Sequence, residues 1–154
     1  MEIERICAEY ESATKVFLEV VRTLDADDLD KQAEEGWTPR QVVHHLADSE
    51  AQSYARLRRL LAEPEGTIIQ GYDEGAWADS PLLGYTELPI ENSLAVFNSV
   101  RAASLDILRR LSPQDLERRG VHSESGEYSV RKWASTYTNH PREHSEQILK
   151  AIRK

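Results

Sequence analysis

Four segments of the chain repeat apolar residues at intervals of three and four, the spacing of one face of an α-helix. The first segment covers residues 2–24, and its apolar positions are Ile3, Ile6, Tyr10, Ala13, Phe17, Val20 and Leu24. No segment shows the sustained alternation of apolar and polar residues that indicates a strand. The pattern therefore predicts an all-α fold, and four helices of about 20 residues favour an antiparallel four-helix bundle.

Local signals predict where the later helices begin and end. Thr38 followed by Pro39 indicates a capped start of the second helix, and Pro64 ends it. Pro89 opens a third helix, and Ser129 caps a fourth that runs to the C-terminus. The expected inward positions of the second helix are Val43, Ala47, Glu50, Tyr54, Leu57 and Leu61. Those of the third helix are Ile90, Leu94, Phe97, Leu105, Leu108 and Leu111. Those of the fourth helix are Trp133, Tyr137, His144, Ile148 and Ile152.

The segments between the helices are predicted loops. Residues 25–36 form an acidic, solvated stretch, and residues 118–128 form another loop. Residues 64–88 make a long connection between the second and third helices, and connections of this length are often functional.

The composition narrows the class of protein. A length of 154 residues predicts one domain, residues 1–154, and a net charge of −8 argues against nucleic-acid binding. The single cysteine, Cys7, excludes an intrachain disulfide, fits a reducing compartment and is expected to pack in the core. Without an apolar run long enough for a membrane span or a signal peptide, we expect a cytoplasmic protein with no membrane partner.

Two histidines in the last helix suggest a metal site. His140 and His144 are four residues apart, so they share one helical face and can bind one divalent ion. Pro141 lies between them and lacks the N–H that would bond the carbonyl of Tyr137. The alternative is that the last helix begins near Pro141 with Asn139 as its cap, and then the two histidines need not share a face.

A third ligand would come from the second helix, where His44 and His45 are adjacent. Neighbouring helical residues point about 100° apart, so only one of the two can face a given point. The apolar periodicity slightly favours His44, or places both on the surface. His122 is expected in a loop.

Several motifs, taken in order, resemble the YfiT-like branch of the DinB-like superfamily. They are GWTPRQVVHHLADSEAQSYARLRRLL from Gly36 onward, GYDEGAWADS, VHSESGEYS and HPREHSEQI. The resemblance covers most of the chain after Gly36. It implies a four-helix bundle with a three-histidine divalent metal site, usually zinc or nickel. The position that precedes an aliphatic residue matches His45, so the implied ligands are His45, His140 and His144.

The resemblance also implies an activity and partners. Members of this family are described as metal-dependent hydrolases or as S-transferases that use low-molecular-weight thiols such as bacillithiol, and they are frequently homodimers. We therefore expect a small-molecule substrate, with thiol S-transfer or hydrolysis at an open metal position. The competing hypothesis is a metal-free helical bundle that acts as a dimerisation or ligand-binding module.

Other side chains have two interpretations each. Tyr72, Asp73 and Trp77 could wall a substrate cleft, or Trp77 could simply cover the core. Asp48 and Glu50 could orient a histidine, or Asp48 could be solvated and Glu50 paired with an arginine. Trp37 and Trp133 are expected in the core, and the arginines of the RLRRLL segment on a solvated face; these are Arg56, Arg58 and Arg59.

Overall fold

Most of the chain is helical in the computed structural model, which describes residues 1–153. The helices are α1 (Glu2–Arg22), α2 (Pro39–Ala62), α3 (Glu74–Asp79), α4 (Glu91–Leu108) and α5 (Val130–Ile152). The four long ones, α1, α2, α4 and α5, form a bundle, and α3 lies in the connection between α2 and α4. The predicted four-helix bundle is confirmed.

The helices are arranged so that α1 and α2 are not main neighbours. α1 packs against α4 and α5, and α2 packs against the same two helices. In a simple up-and-down bundle, helices that are consecutive in the chain are adjacent. Here the segment 23–38 connects α1 to α2 across the bundle, because the two helices occupy opposite corners of it. The segment contains a 3₁₀ turn at Asp28–Asp30 that packs on α2.

The helix ends follow the predicted signals. Thr38 Oγ1 accepts a hydrogen bond from the Gln41 amide, and the Gln41 side chain accepts one from the Thr38 amide. Ser129 Oγ accepts from the Lys132 amide at the start of α5. α5 runs unbroken through Pro141, so the alternative start near Asn139 is wrong.

Three short strands were not predicted. β1 (Ile68–Ile69) pairs in parallel with β2 (Arg119–His122), which pairs antiparallel with β3 (Gly126–Ser129). The predicted absence of strands, and the loop expected at 118–128, are therefore wrong at these segments. Only Gly120 in β2 and Tyr128 in β3 are fully buried, so the alternation is too short to recognise in the sequence.

The core consists of two apolar clusters. The sheet-side cluster contains Tyr10, Leu57, Leu105, Trp133 and Tyr137, together with Ile69 and Tyr128 of the sheet. The far cluster contains Phe17, Val42, Val43, Leu46, Phe97 and Ile148. Cys7 belongs to the sheet-side cluster, where burial raises the pKa of its thiol, in keeping with a packed side chain.

Polar residues separate the two clusters on every long helix. This polar layer contains Thr14 on α1, Glu50 and Ser53 on α2, Arg101 and Ser104 on α4, and His140 on α5. One predicted inward position fails, because Tyr54 is 41% exposed. Leu111 follows the end of α4 but still packs against the sheet-side cluster. No helix within residues 1–153 combines the length and apolar character that crossing a membrane requires.

Gly120 is a position where any side chain should disturb the small sheet. A Cβ there would lie 2.6 Å from the Thr67 carbonyl oxygen and 3.2 Å from side-chain carbons of Ile69 and Leu60. We expect Gly120→Ala to lower the free energy of unfolding by about 1–3 kcal/mol through overpacking. Urea denaturation followed by circular dichroism measures this. Gly75→Ala is the control, since its Cβ meets only Asp73 Oδ1 at 3.5 Å, and an equal loss in both variants would contradict the overpacking account.

Candidate metal centre

Three histidines from two helices meet beside the polar layer, to which His140 belongs. His45 comes from the buried first half of α2, and His140 and His144 come from successive turns of α5. His45 Nε2 lies 3.2 Å from His140 Nε2, which in turn lies 3.0 Å from His144 Nε2. All three potential ligand atoms lie within 4.8 Å of one another. The structure thus brings together the three histidines that the resemblance implied.

The spacing and chemistry of these nitrogens fit a divalent metal ion. Zinc–imidazole bonds of about 2.0–2.1 Å place two ligand nitrogens of a tetrahedral ion ~3.3 Å apart, close to the two shorter separations. Three imidazoles without a carboxylate or thiolate form the donor set found at open, catalytic zinc sites. The residues present therefore fit the ion that the resemblance implies.

Burial keeps the cluster neutral, which is the state that binds a metal. Burial lowers the pKa of His45 to about 3 and that of His140 to about 2, and His144 opposes protonation of both. Burial also lowers the pKa of His144. Neutral imidazoles present lone pairs, whereas an imidazolium has none to offer.

Gln147 fixes which nitrogen of His144 faces the cluster. Its Oε1 atom accepts a hydrogen bond from His144 Nδ1 at 2.6 Å, so the proton sits on Nδ1 and the lone pair on Nε2. Partners of this kind set the orientation and basicity of a ligand histidine. Gln147 was not predicted to act at the site, although in the sequence it follows His144 by three residues, about one helical turn.

The His44 ring bonds to groups outside the histidine cluster. Its Nε2 donates to the Leu88 carbonyl at 3.0 Å, and the Ser93 hydroxyl lies 2.7 Å from its Nδ1. Both ring nitrogens therefore tie α2 to α4 and the segment before it. The periodicity that favoured His44 was misleading, because residues 42–47 of α2 are buried on every side and define no single inward face.

A carboxylate approaches the cluster from α3. Glu74 Oε2 lies 3.7 Å from His45 Nε2, and the Glu74 side chain is 60% exposed. α3 begins at Glu74, and Asp73 caps it by accepting the Ala76 amide. The part of the connection nearest the histidines thus carries an accessible negative charge. Glu74 lies in the recognised YDEGAW motif, yet its role was missed because only the fold places α3 beside α2.

The aromatic residues singled out in the sequence lie in different places relative to the cluster. The half-buried Trp37 packs against the far cluster, in keeping with its predicted core position. Its ring centroid also lies 4.7 Å from that of His45 and 6.3 Å from that of His144, so Trp37 borders the site as well. Tyr72 and Trp77, the predicted substrate-binding residues, pack against each other with their ring centroids 4.6 Å apart, and both are half-buried. Trp133 is fully buried and donates from Nε1 to the Ser53 carbonyl.

The two acidic residues near His45 have different partners. Asp48 is partly buried and accepts a hydrogen bond from the Tyr85 hydroxyl at 2.5 Å, so its side-chain partner is a tyrosine and not a histidine. Glu50 is completely buried and pairs with Arg101 at 3.0 Å, as the arginine-pairing alternative predicted. Arg56 is not on a solvated face, because it donates to the Tyr137 hydroxyl and the Gln70 carbonyl.

The whole bundle matches one family. The sequence pattern of the DinB superfamily matches residues 9–148. A protein from Oceanobacillus iheyensis, named "putative metal-dependent hydrolase", is 39% identical over 141 residues, which cover 91% of this chain and 80% of that protein. A protein of the same name from Bacillus mycoides is 34% identical over 147 residues, covering 95% of this chain and 83% of its own length.

Two solved structures share the fold. YfiT from Bacillus subtilis, described as "a probable metal-dependent hydrolase with an unusual four-helix bundle topology", aligns with a TM-score of 0.87 and 28% identity. The alignment covers 97% of this chain and 85% of that chain. TT2238, a four-helix bundle protein, aligns with a TM-score of 0.66 and 23% identity over 96% of this chain and 98% of its own; it supports the fold alone.

The lowered pKa values predict an acid-sensitive metal-free protein. Below pH ~6.5 the unfolded chain protonates its histidines, while folded His45 and His140 remain neutral down to about pH 3 and about pH 2. The unfolded state binds more protons in this window, so the free energy of unfolding should fall as pH is lowered from about 7 to about 4. Urea titrations of chelator-treated protein at several pH values measure this free energy of unfolding. His140→Gln should flatten the dependence, and an unchanged slope would contradict this origin.

Proposed function

Since this chain belongs to the DinB superfamily, we propose that it is a divalent-metal-dependent enzyme acting on a small molecule, with His45, His140 and His144 as the metal ligands. The observation that carries the proposal is the convergence of three neutral Nε2 nitrogens, two of whose separations suit a single ion. The names of the relatives as metal-dependent hydrolases support it. Zinc and nickel, predicted from the resemblance, are the metals to test first.

The chemistry depends on an incomplete set of ligands. His45, His140 and His144 would hold a divalent ion through three imidazoles and leave a coordination position open, where the ion would lower the pKa of a water or thiol. Glu74 is the nearest free carboxylate, and its Oε2 is placed to accept the proton of that nucleophile. Gln147 holds the His144 ring in the orientation that keeps its Nε2 lone pair inward. Trp37 covers the rings of His45 and His144 and limits the access of water from its side.

The substrate is expected to enter beside α3. Tyr72 and Trp77 lie on the same connection as Glu74, and their packed rings offer an apolar wall for an organic substrate. Burial raises the pKa of Tyr72 to about 12, so its hydroxyl stays protonated and can donate a hydrogen bond to the substrate. Asp48 lies one turn along α2 from His45 and accepts a hydrogen bond from the Tyr85 hydroxyl. This pair extends the polar lining of the region.

The nucleophile decides between two reaction types. Water gives a hydrolase, the activity in the relatives' names, and a low-molecular-weight thiol gives the S-transferase that the resemblance also predicted. The homodimer predicted from the same resemblance is retained as part of the proposal. A metal-free dimerisation or ligand-binding module is the alternative outcome of the experiments below.

Metal content should depend on His45 and not on its neighbour. Protein purified without a histidine tag should carry about one divalent ion per chain, measured by elemental mass spectrometry. His45→Ala and His144→Ala should lose the ion, because each removes one of three ligands. His44→Ala is the matched control and should keep it, since both of its ring nitrogens bond outside the cluster. Metal-free wild-type protein, even after incubation with zinc or nickel, would support the non-catalytic module.

Glu74→Gln should separate catalysis from metal binding. The amide keeps the shape of the side chain but cannot accept a proton, so kcat/KM should fall by about 100-fold or more while the metal content is unchanged. Glu65→Gln makes the same chemical change at an exposed turn residue and should leave the rate unaltered. Equal rates for wild type and Glu74→Gln would remove Glu74 from the mechanism.

Two substrate sets distinguish hydrolysis from thiol transfer. Zinc- or nickel-loaded protein is given esters and amides without thiol, and separately a dinitrophenyl or haloalkyl electrophile with a low-molecular-weight thiol. Metal-dependent turnover of the first set indicates a hydrolase, and metal-dependent conjugation in the second indicates an S-transferase. Turnover that persists in His45→Ala would show that neither reaction uses the histidine site.

A further inference from the structure

Pro141 leaves a gap in the hydrogen bonding of α5. In a regular helix the amide of residue 141 would bond the carbonyl of Tyr137, but proline has no amide hydrogen, and its ring presses against that carbonyl. The Tyr137 carbonyl is buried within the bundle, where an acceptor without a donor is costly. Because Pro141 falls between His140 and His144, this defect lies within the turn that carries two proposed ligands.

Arg101 fills the gap from another helix. Its Nη1 atom donates to the Tyr137 carbonyl oxygen at 2.5 Å, although the side chain is only 1% exposed. A charged donor makes a stronger hydrogen bond than the missing amide would. Nearby, Ser145 Oγ donates back to the Pro141 carbonyl at 2.6 Å, a pattern that often accompanies a bent helix.

The guanidinium group is held rigidly by all the other long helices. On α1 it donates to the Tyr10 carbonyl and to Thr14 Oγ1, and it lies 3.5 Å from the centre of the Tyr10 ring. On α2 it pairs with Glu50, whose second oxygen accepts from Ser53. Since Arg101 itself belongs to α4, this one side chain sets the position of the α5 turn relative to α1, α2 and α4.

We propose that Arg101 is a positioning residue for the metal centre: by taking over the Tyr137 carbonyl that Pro141 cannot bond, it fixes the course of α5 that aims His140 and His144 at His45. The inference rests on the proposed metal-binding function, because it assigns Arg101 an effect on metal affinity. Supports of ligand residues of this kind typically change metal affinity by about 10- to 100-fold when removed.

A merely structural ion pair would behave differently from a positioning residue. If Arg101 acts through the Tyr137 carbonyl, its importance should disappear when position 141 regains an amide hydrogen. Pro141→Ala supplies that hydrogen and suits a helix interior. The two changes should therefore be coupled, whereas an ion pair that only stabilises the core should have the same effect whichever residue occupies position 141.

The experiment combines these changes in four proteins. They are wild type, Pro141→Ala, the paired variant Glu50→Gln/Arg101→Met, and the triple variant; the paired change avoids leaving one buried charge alone. Zinc affinity is measured by competition with a chromogenic chelator. With Pro141 present, the paired variant should bind zinc at least tenfold more weakly than wild type. In the Pro141→Ala background, the same change should weaken binding by less than about threefold.

Equal losses in both backgrounds, or no loss with Pro141, would overturn the proposal. The same four proteins, stripped of metal, are unfolded in urea, where the paired change should lower the midpoint further with Pro141 present than in the Pro141→Ala background. This second cycle works even if wild type binds no zinc, so failure of the metal site is distinguished from failure of the Arg101–Pro141 link. The apolar pair Glu50→Leu/Arg101→Leu, which also leaves no buried charge and no donor at position 101, repeats both cycles should the first paired variant not fold.

Discussion

The buried guanidinium of Arg101 is the interaction on which the arrangement of the bundle depends. It donates to α1, α2 and α5 from its place on α4, at a level where the apolar core is interrupted on every long helix. Burying an ion pair contributes little net stability, but a misplaced partner would leave a charge uncompensated. The pair therefore acts mainly on the relative positions of the helices. The flanking apolar clusters, with Trp133 and Phe97 fully buried, supply the stabilising burial.

The histidine centre adjoins this level of the bundle through His140. Packing against Trp37 and the bundle interior makes protonation of His45 and His140 unfavourable, so lone pairs face one another at close range. If these rings were exposed to water, they could be protonated and would not be held close together. On the connection before α4, Glu74 brings a carboxylate within 3.7 Å of His45 while its side chain stays 60% exposed. A buried, neutral ligand cluster therefore has a solvent-exposed acidic group beside it.

Much of the fold was predictable because its signals are local. Thr38 and Ser129 cap helices through bonds within four residues, and the three-and-four spacing of α1 persists over its whole length. The strands escaped prediction because β1 gains its partner only when residue 68 meets residue 121. Tyr54 was wrongly predicted to face inward for a related reason. Its side chain is 41% exposed, although Leu57, one turn further along the same predicted face of α2, is buried. Neither effect can be read from a short window of sequence.

The sequence by itself determined the helices, the shared face of His140 and His144, and, through the family motifs, the set of histidines to consider. Periodicity alone could not choose between His44 and His45, and the choice of His45 came from the family motifs. The tertiary structure supplies the physical reason: α2 is buried all round at that point, Ser93 and Leu88 bond the His44 ring, and the His45 ring lies beside His140. The tertiary structure also decided that Pro141 remains inside α5, since the Tyr137 carbonyl that Pro141 cannot bond accepts from Arg101, which is 36 residues from Tyr137 and on another helix. Local chemistry sets helix ends and spacing, but which face is covered, and by what, follows from packing between distant segments.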